Sequence, residues 1–322
     1  MKKTIFYSII AFLGVIFYAC NDEWKDEQYE KWVSFVRSGY VETYLNANAP
    51  DGVIHYKIPV EVSGSTQNDR TLTVTIEVDP DTLIAYNKAM YFTREDLYFR
   101  LLDEQHYSFP NGLQVTIPAG KDVGYLDVDF TIEDLDLVEK YVLPLKIAST
   151  SEYMPSPKKW YKRTLMRIIP FSYFSGTYSA GAATIKAEGN TETTTMATRE
   201  MRVVSDSTVF FYAGLCEEDA RDRATYKVRA TFNADQTITF TADSTKIEFT
   251  PTDGKCTWTV KEEMDALQPY LIIRTVIMDL QYSYQDVSNP NYKVKYSLTG
   301  FYTLERRRNT QIPEEDQQEI FE

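Results

Sequence analysis

The stretch VIHYKIPVEVS, residues 53–63, decides the fold class. Ile54, Tyr56, Ile58, Val60 and Val62 alternate with polar residues. Successive side chains of an extended backbone point to opposite faces, so this period of two marks a half-buried β-strand. Leu72, Val74, Ile76 and Val78 repeat it, with Ser63-Gly64-Ser65 and Asn68-Asp69 as turn residues between. Residues 113–117 are extended again, and Pro118-Ala119-Gly120-Lys121 turns the chain. Leu126, Val128, Phe130 and Ile132 then alternate with Asp127 and Asp129, and Tyr141, Leu143, Leu145 and Ile147 form the next strand. Residues 160–169 supply a further one. Two short helices interrupt the rhythm: one at 83–87, with Asp81 or Thr82 placed to cap it and Pro80 at its start, and one from Thr93 through Leu102. About seven strands with no βαβ rhythm predict an all-β chain that opens with an antiparallel sandwich over 31–169.

The Ser-, Pro- and Lys-rich 149–159 segment has the composition of a linker or long loop, and Pro170 marks the boundary chosen for a second domain, 170–308. Phe174-Ser175-Gly176-Thr177-Tyr178 leads into hairpin-like pieces at 201–204, 208–212, 226–232, 237–242, 246–249 and 257–261. Two long strands follow, at 271–284 and 293–304. On the first, Ile272, Val276, Met278, Leu280, Tyr282 and Tyr284 share one face, interrupted by Arg274. About nine strands without a strong helix predict an up-and-down antiparallel β-barrel or a second sandwich. The barrel is favoured because the Gly-Thr-Tyr opening is similar to lipocalin-like starts. Residues 309–322 form an acidic C-terminal tail.

At the other end, Lys2 and Lys3 precede an apolar run, 5–17, that stops at Ala19-Cys20. A positive start, an apolar middle and a small residue at the cut make a secretory signal. The run is shorter than the roughly 20 residues that cross a bilayer. Residues 1–19 resemble a bacterial lipoprotein signal, with Phe17 and Tyr18 in place of its usual Leu and small residue. That resemblance implies acylation of Cys20, a short tether over 20–30 and anchoring to the membrane by lipid. Asn21-Asp22-Glu23 looks like a tag for export to the outer surface.

Three motifs carry a second resemblance: Asp79-Pro80-Asp81-Thr82-Leu83 with Tyr86-Asn87, Ile117-Pro118-Ala119-Gly120, and Tyr141-Val142-Leu143-Pro144-Leu145. They are similar to the immunoglobulin-like N-terminal domain of Bacteroidetes surface lipoproteins, a module also found ahead of the catalytic domain of Bacteroides endoglycosidases. Phe174 to Tyr178, Phe210-Phe211-Tyr212-Ala213-Gly214 and the 306–316 terminus resemble the C-terminal domain that accompanies it in polysaccharide-utilisation loci. The two resemblances imply glycan, an oligo- or polysaccharide, as ligand and an outer-membrane glycan importer complex as partner.

Composition narrows the classes. The 34 basic and 47 acidic residues leave a net charge of −13, which repels phosphate backbones and excludes nucleic acid as the expected partner. Cys216 and Cys256 form either a disulfide, permitted outside the cytoplasm, or buried free thiols. Of the two histidines, His55 lies within a strand and His106 in a polar connection. Neither sits in a HExxH motif, and no nucleophile elbow, P-loop or zinc-spaced cysteine pattern is present. Glu217, Glu218, Asp219 and Asp222, or Asp79 with Asp81, lack calcium-loop spacing and are expected to be solvated loop charge. Arg306 to Arg308 are expected at a solvated strand end.

Sugars stack their CH faces on aromatic rings while polar side chains meet their hydroxyls. The candidate glycan-binding residues are therefore Trp160 after the linker, Trp258 at a strand start, Tyr282 and Tyr284 beside the 285–291 turn, and Tyr292 beyond it. Each also has a reading as core, since large aromatics are mostly buried. The expected protein is a cell-surface lipoprotein of the outer membrane that binds glycan for uptake, without catalysis, cofactor or metal. The alternatives are a structural or adhesin-type surface protein that binds a protein partner and, third, a glycoside hydrolase with two carboxylates.

Overall fold

The computed structural model describes residues 26–312 apart from 48, 50 and 51. The expected signal, Cys20 and most of the expected acidic tail lie outside the described residues. From Glu27 onward the chain is pinned: the Glu27 carboxylate accepts from Ser65 N at 2.7 Å and Thr66 Oγ1 at 2.7 Å, and pairs with Lys31 at 2.8 Å. The expected tether to Glu30 is thus fixed to the first domain at its far end.

That domain is a sandwich of two sheets. One runs Met154–Pro155, Trp32–Phe35, Ile54–Val62, Val123–Phe130, Tyr107–Ser108. The other runs Gly39–Asn46, Arg163–Phe171, Tyr141–Thr150, Leu72–Val78, Gln114–Ile117. The alternation at 53–63 has the consequence expected of it. Ile58, Val60 and Val62 enter the core with Leu126, Val128 and Phe130 of the paired strand, against Leu143, Leu145 and Ile147 of the opposite sheet. Of the three parallel pairings among the described residues, two are Gly39–Asn46 with Arg163–Phe171 and Trp32–Phe35 with Met154–Pro155. They join the beginning of the domain to its end, and no local pattern announces them.

The first helix is longer than expected, Pro80–Tyr91, and lays Leu83, Tyr86 and Tyr91 over Phe99, Val142 and Leu165. The second expected helix is absent as such: only the 3₁₀ turn Glu95–Leu97 forms. Phe99 is drawn into that small core by Asn87, whose amide brackets its backbone at 2.9 Å on both sides. Arg100–Leu101 then pairs with Tyr141–Val142 as a strand, which a helix could not do.

The second domain is a barrel, nearly closed, and not a second sandwich. Its strands Gly176–Ala187, Thr198–Ser205, Thr208–Tyr212, Lys227–Phe232 and Ile238–Ala242 pair in sequence, as do Thr257–Met264, Leu271–Asp286 and Val294–Asn309. The last returns to the first. Between Ile238–Ala242 and Thr257–Met264 the seam is held at one end, by the Thr237–Thr257 bridge and by Trp258 N donating to Gln236 O at 2.9 Å. The interior is filled by side chains, as small barrels require: Tyr178, Tyr212, Tyr282, Tyr284, Tyr302, Phe210 and Phe211 are all fully buried. The Phe174 to Tyr178 motif acts here, since the Tyr178 hydroxyl donates to Phe174 O at 2.8 Å across the entry to the barrel.

Burial pushes the hydroxyls of Tyr178, Tyr212, Tyr282, Tyr284 and Tyr302 above their ordinary range. The folded state therefore keeps protons that the unfolded chain releases near pH ~10. Their contribution to stability is complete below that pH and is lost as pH rises. A titration followed at 295 nm should show these phenols ionising together with the loss of β-sheet circular dichroism, above about pH 11. Ionisation before the sheet signal falls would mean that the barrel interior admits water.

The domains are joined tightly. Leu137 and Val138 of the sandwich are buried in the barrel's core cluster, and Lys227 pairs with Asp136 at 3.1 Å. On another side Arg223 donates to Asp96 O at 2.9 Å and Arg94 to Asp219 O at 2.6 Å. The 172–175 connection is itself pinned by Arg306, which donates from Nη1 to Ser172 O at 2.8 Å and from Nη2 to Ser175 O. Arg306 is 9% exposed, so the solvated strand end expected at Arg306 to Arg308 begins only after it.

Candidate functional site

The outer face of the second sandwich sheet is what reaches the joint. Thr43, Leu45, Met166 and Ile168 point inward, so Tyr40, Glu42 and Tyr44 lie outward beside Leu165, Arg167 and Ile169, their partners in the parallel register. Half of this face is covered by the helix, where Tyr40 stacks against both Tyr86 at 5.8 Å and Phe99 at 5.5 Å. The other half fronts the barrel across a cleft of about 350 Å³. That volume lies at the small end of ligand sites, which span ~300–1,000 Å³.

The sandwich wall is ordered around Glu42. Its Oε1 accepts from Arg167 Nη1 at 2.6 Å and from the Tyr40 hydroxyl at 3.3 Å, while Oε2 accepts from the Tyr44 hydroxyl at 3.1 Å. Burial pushes the Tyr40 hydroxyl up to about 12, with Arg167 opposing, so it stays a donor. Across the cleft, Arg202 pairs with Glu218 at 2.7 Å and Thr177 donates to Glu200 at 2.7 Å. Lys140 enters from the start of Tyr141–Thr150. Its amine is held below the usual lysine range by burial and by the neighbouring Arg167 and Arg202 guanidinium groups. A second opening of about 950 Å³ lies around the same joint, but its cations Lys227 and Arg229 are both paired with Asp243, at 3.6 and 2.9 Å.

None of the five aromatic candidates lines the smaller cleft, and they differ widely in burial. Tyr282 and Tyr284 are 1% exposed; their hydroxyls accept from Gly214 N at 3.2 Å and Leu215 N at 3.1 Å, closing one end of the barrel. Trp258 packs edge-on against Phe174 and Phe232 and donates from Nε1 to Asn233 O at 2.9 Å. Trp160, 40% exposed beside Tyr86, and Tyr292, 70% exposed, are the most exposed of the five.

The possible disulfide is not formed: Cys216 and Cys256 are both free. Each thiol donates to a backbone carbonyl of its own surroundings, Cys256 to Gln281 O and Cys216 to Glu217 O. Burial pushes the Cys216 thiol up to about 12, so it stays protonated and unreactive. His55 bonds Asp129 at 2.7 Å on the sandwich surface, and His106 is buried against Thr131 O at 2.8 Å. Glu218, expected to be solvated loop charge, is ion-paired in the cleft. Among the described residues no three His, Cys, Asp or Glu side chains cluster to hold a metal.

Fold and site define a two-domain all-β protein with a charged cleft at the joint. Residues 24–151 match the domain of unknown function DUF4973, and residues 162–302 match a model described only as a "-like, C-terminal" domain. A Bacteroides ovatus structure of unknown function is 35% identical, with a TM-score of 0.81, over 89% of this chain and 99% of its own. A second B. ovatus structure, a multidomain protein including DUF1735, is 34% identical, with a TM-score of 0.79, over 89% and 99%. An auxiliary nutrient binding protein from Bacteroides thetaiotaomicron is 30% identical, with a TM-score of 0.79, over 88% and 95%. The chain belongs to the family of two-domain Bacteroides proteins that these structures represent. No curated protein matches it.

Proposed function

We propose that this chain is a non-catalytic, cell-surface lipoprotein that binds oligo- or polysaccharide for uptake, held to the outer membrane through Cys20 and working beside a glycan importer. The observation that carries this reading is the interdomain cleft, built from charged hydrogen-bonding groups on two rigid β domains that the chain shares, along nearly its full length, with an auxiliary nutrient binding protein. The exposed rings of Trp160 and Tyr292 would add stacking surfaces outside the cleft. Domain division near Pro170 gives the sandwich the position nearer the membrane and leaves the barrel outermost.

A broad glycan array probed with the purified chain is the test, repeated on intact cells with and without external proteinase. Binding to a defined glycan, lost from cells after proteinase, is the expected result. Trp160→Ala should weaken it roughly 3- to 10-fold, the ~0.5–1.5 kcal/mol of an aromatic stacking contact. No binding to any host or plant polysaccharide would sink the reading.

A further inference from the structure

Every cation of the cleft but one is committed. Arg167 is held by Glu42 and Tyr40, Arg202 by Glu218, and Arg306 by the carbonyls of the 172–175 turn. Lys140 has neither a side-chain hydrogen bond nor an ion pair among the described residues. Its sequence neighbour Glu139 does not neutralise it and turns instead to Arg100 at 3.1 Å. An ammonium partly withdrawn from water and set among guanidinium groups is offset only in part by the Glu218 carboxylate, and an incoming anion relieves both the lost hydration and the like-charge repulsion.

Resting on the nutrient-binding reading above, we propose that the cleft takes a sugar bearing an anionic substituent, a carboxylate or a sulfate ester, with the acid group on Lys140 Nζ. The rest of the cleft suits the rest of such a ligand. Glu200 keeps acceptor capacity beyond the Thr177 hydroxyl, and Tyr44, 40% exposed, presents its ring at the rim. Lysine acts on an anion as a compact point charge, so it accepts either acid group. The two arginines that could fork a carboxylate already hold Glu42 and Glu218 and serve instead to fix the walls. With a net charge of −13 the molecule as a whole repels anions, so selection of an acidic sugar has to come from this local group.

The test is calorimetric titration of the purified chain with trigalacturonate, galactose 6-sulfate and neutral galactotriose, beside the glycan array. At least one acidic probe should bind about 10-fold or more tighter than the neutral one, as one unshared charge contact of ~1.4 kcal/mol gives. Which acidic probe does so assigns the carboxylate or the sulfate. Lys140→Met should erase that preference with the circular dichroism spectrum unchanged, and Lys140→Arg should restore part of it. Acylation of Lys140 by an N-hydroxysuccinimide ester, read by mass spectrometry, should slow when the acidic probe is bound. Equal or tighter binding of neutral sugars, array hits that carry no acid group, or a preference untouched by Lys140→Met each overturn the inference and leave the nutrient-binding reading standing. An array without any hit overturns both.

Discussion

Gly214→Ala is expected to destabilise the barrel by about 2–5 kcal/mol. Gly214 has φ +57°, a left-handed conformation that costs an L-residue roughly 1–2 kcal/mol. Crowding costs more than the backbone does: a Cβ there would stand 2.0 Å from Cζ and from the hydroxyl oxygen of Tyr284. Tyr284 is 1% exposed and cannot swing away, so the turn must move. Moving it breaks the hydrogen bonds from Gly214 N and Leu215 N to Tyr282 and Tyr284, and the grip of Arg199 on Gly214 O and Cys216 O. In urea the barrel midpoint should fall by about 1–2 M, with hydrogen exchange accelerating in Leu271–Asp286 while the sandwich strand Ile54–Val62 keeps its protection. An unchanged midpoint would show that the turn relocates freely and that the tyrosine end of the barrel does not depend on it.

Arg306→Ala should cost about 2–4 kcal/mol and loosen the joint between the domains. Two charge-assisted hydrogen bonds to Ser172 O and Ser175 O are lost, and both carbonyls stand at a buried turn. Removing the guanidinium also removes the cost of having dehydrated it, which keeps the net loss below the sum of the two bonds. The distinguishing readout is local. Chymotryptic cleavage after Tyr173 or Phe174 should accelerate well before global unfolding, and Arg306→Lys, which restores a single charged nitrogen in place of the two-nitrogen fork, should protect less than half of the difference. Cleavage at the wild-type rate would mean that Leu137 and Val138 alone hold the domains together.

Elements with strong local signals were legible in the sequence. The alternation at 53–63, 72–78 and 124–132 marks strands because one face of each meets a core. Gly39–Asn46 escaped notice because its outward face carries Tyr40 and Tyr44, so it lacks the polar alternation that marks a half-buried strand. The 93–102 segment has helix-opening residues, but tertiary capture of Phe99 overrides them. For the aromatics, residue type was informative and exposure was not: Tyr282 alternates on a strand just as a groove-lining ring would, and only closure of the barrel makes its face an interior. Lys140, Arg167 and Arg202 left no mark for the same reason. Each is an ordinary charge on a strand or loop, and their meeting depends on how two domains separated in sequence are set against each other.

Each domain fastens a strand near its start to its last: Gly39–Asn46 lies along Arg163–Phe171, and Gly176–Ala187 along Val294–Asn309. Neither can therefore lock until its whole length is available, since loop closure over such separations gains its reward only when the final strand arrives. During synthesis the first unit stays open until residue 171 has emerged, and the second until about the end of the barrel. The order of closure therefore follows the order of synthesis, sandwich before barrel, with neither unit compact before its own last strand has been made.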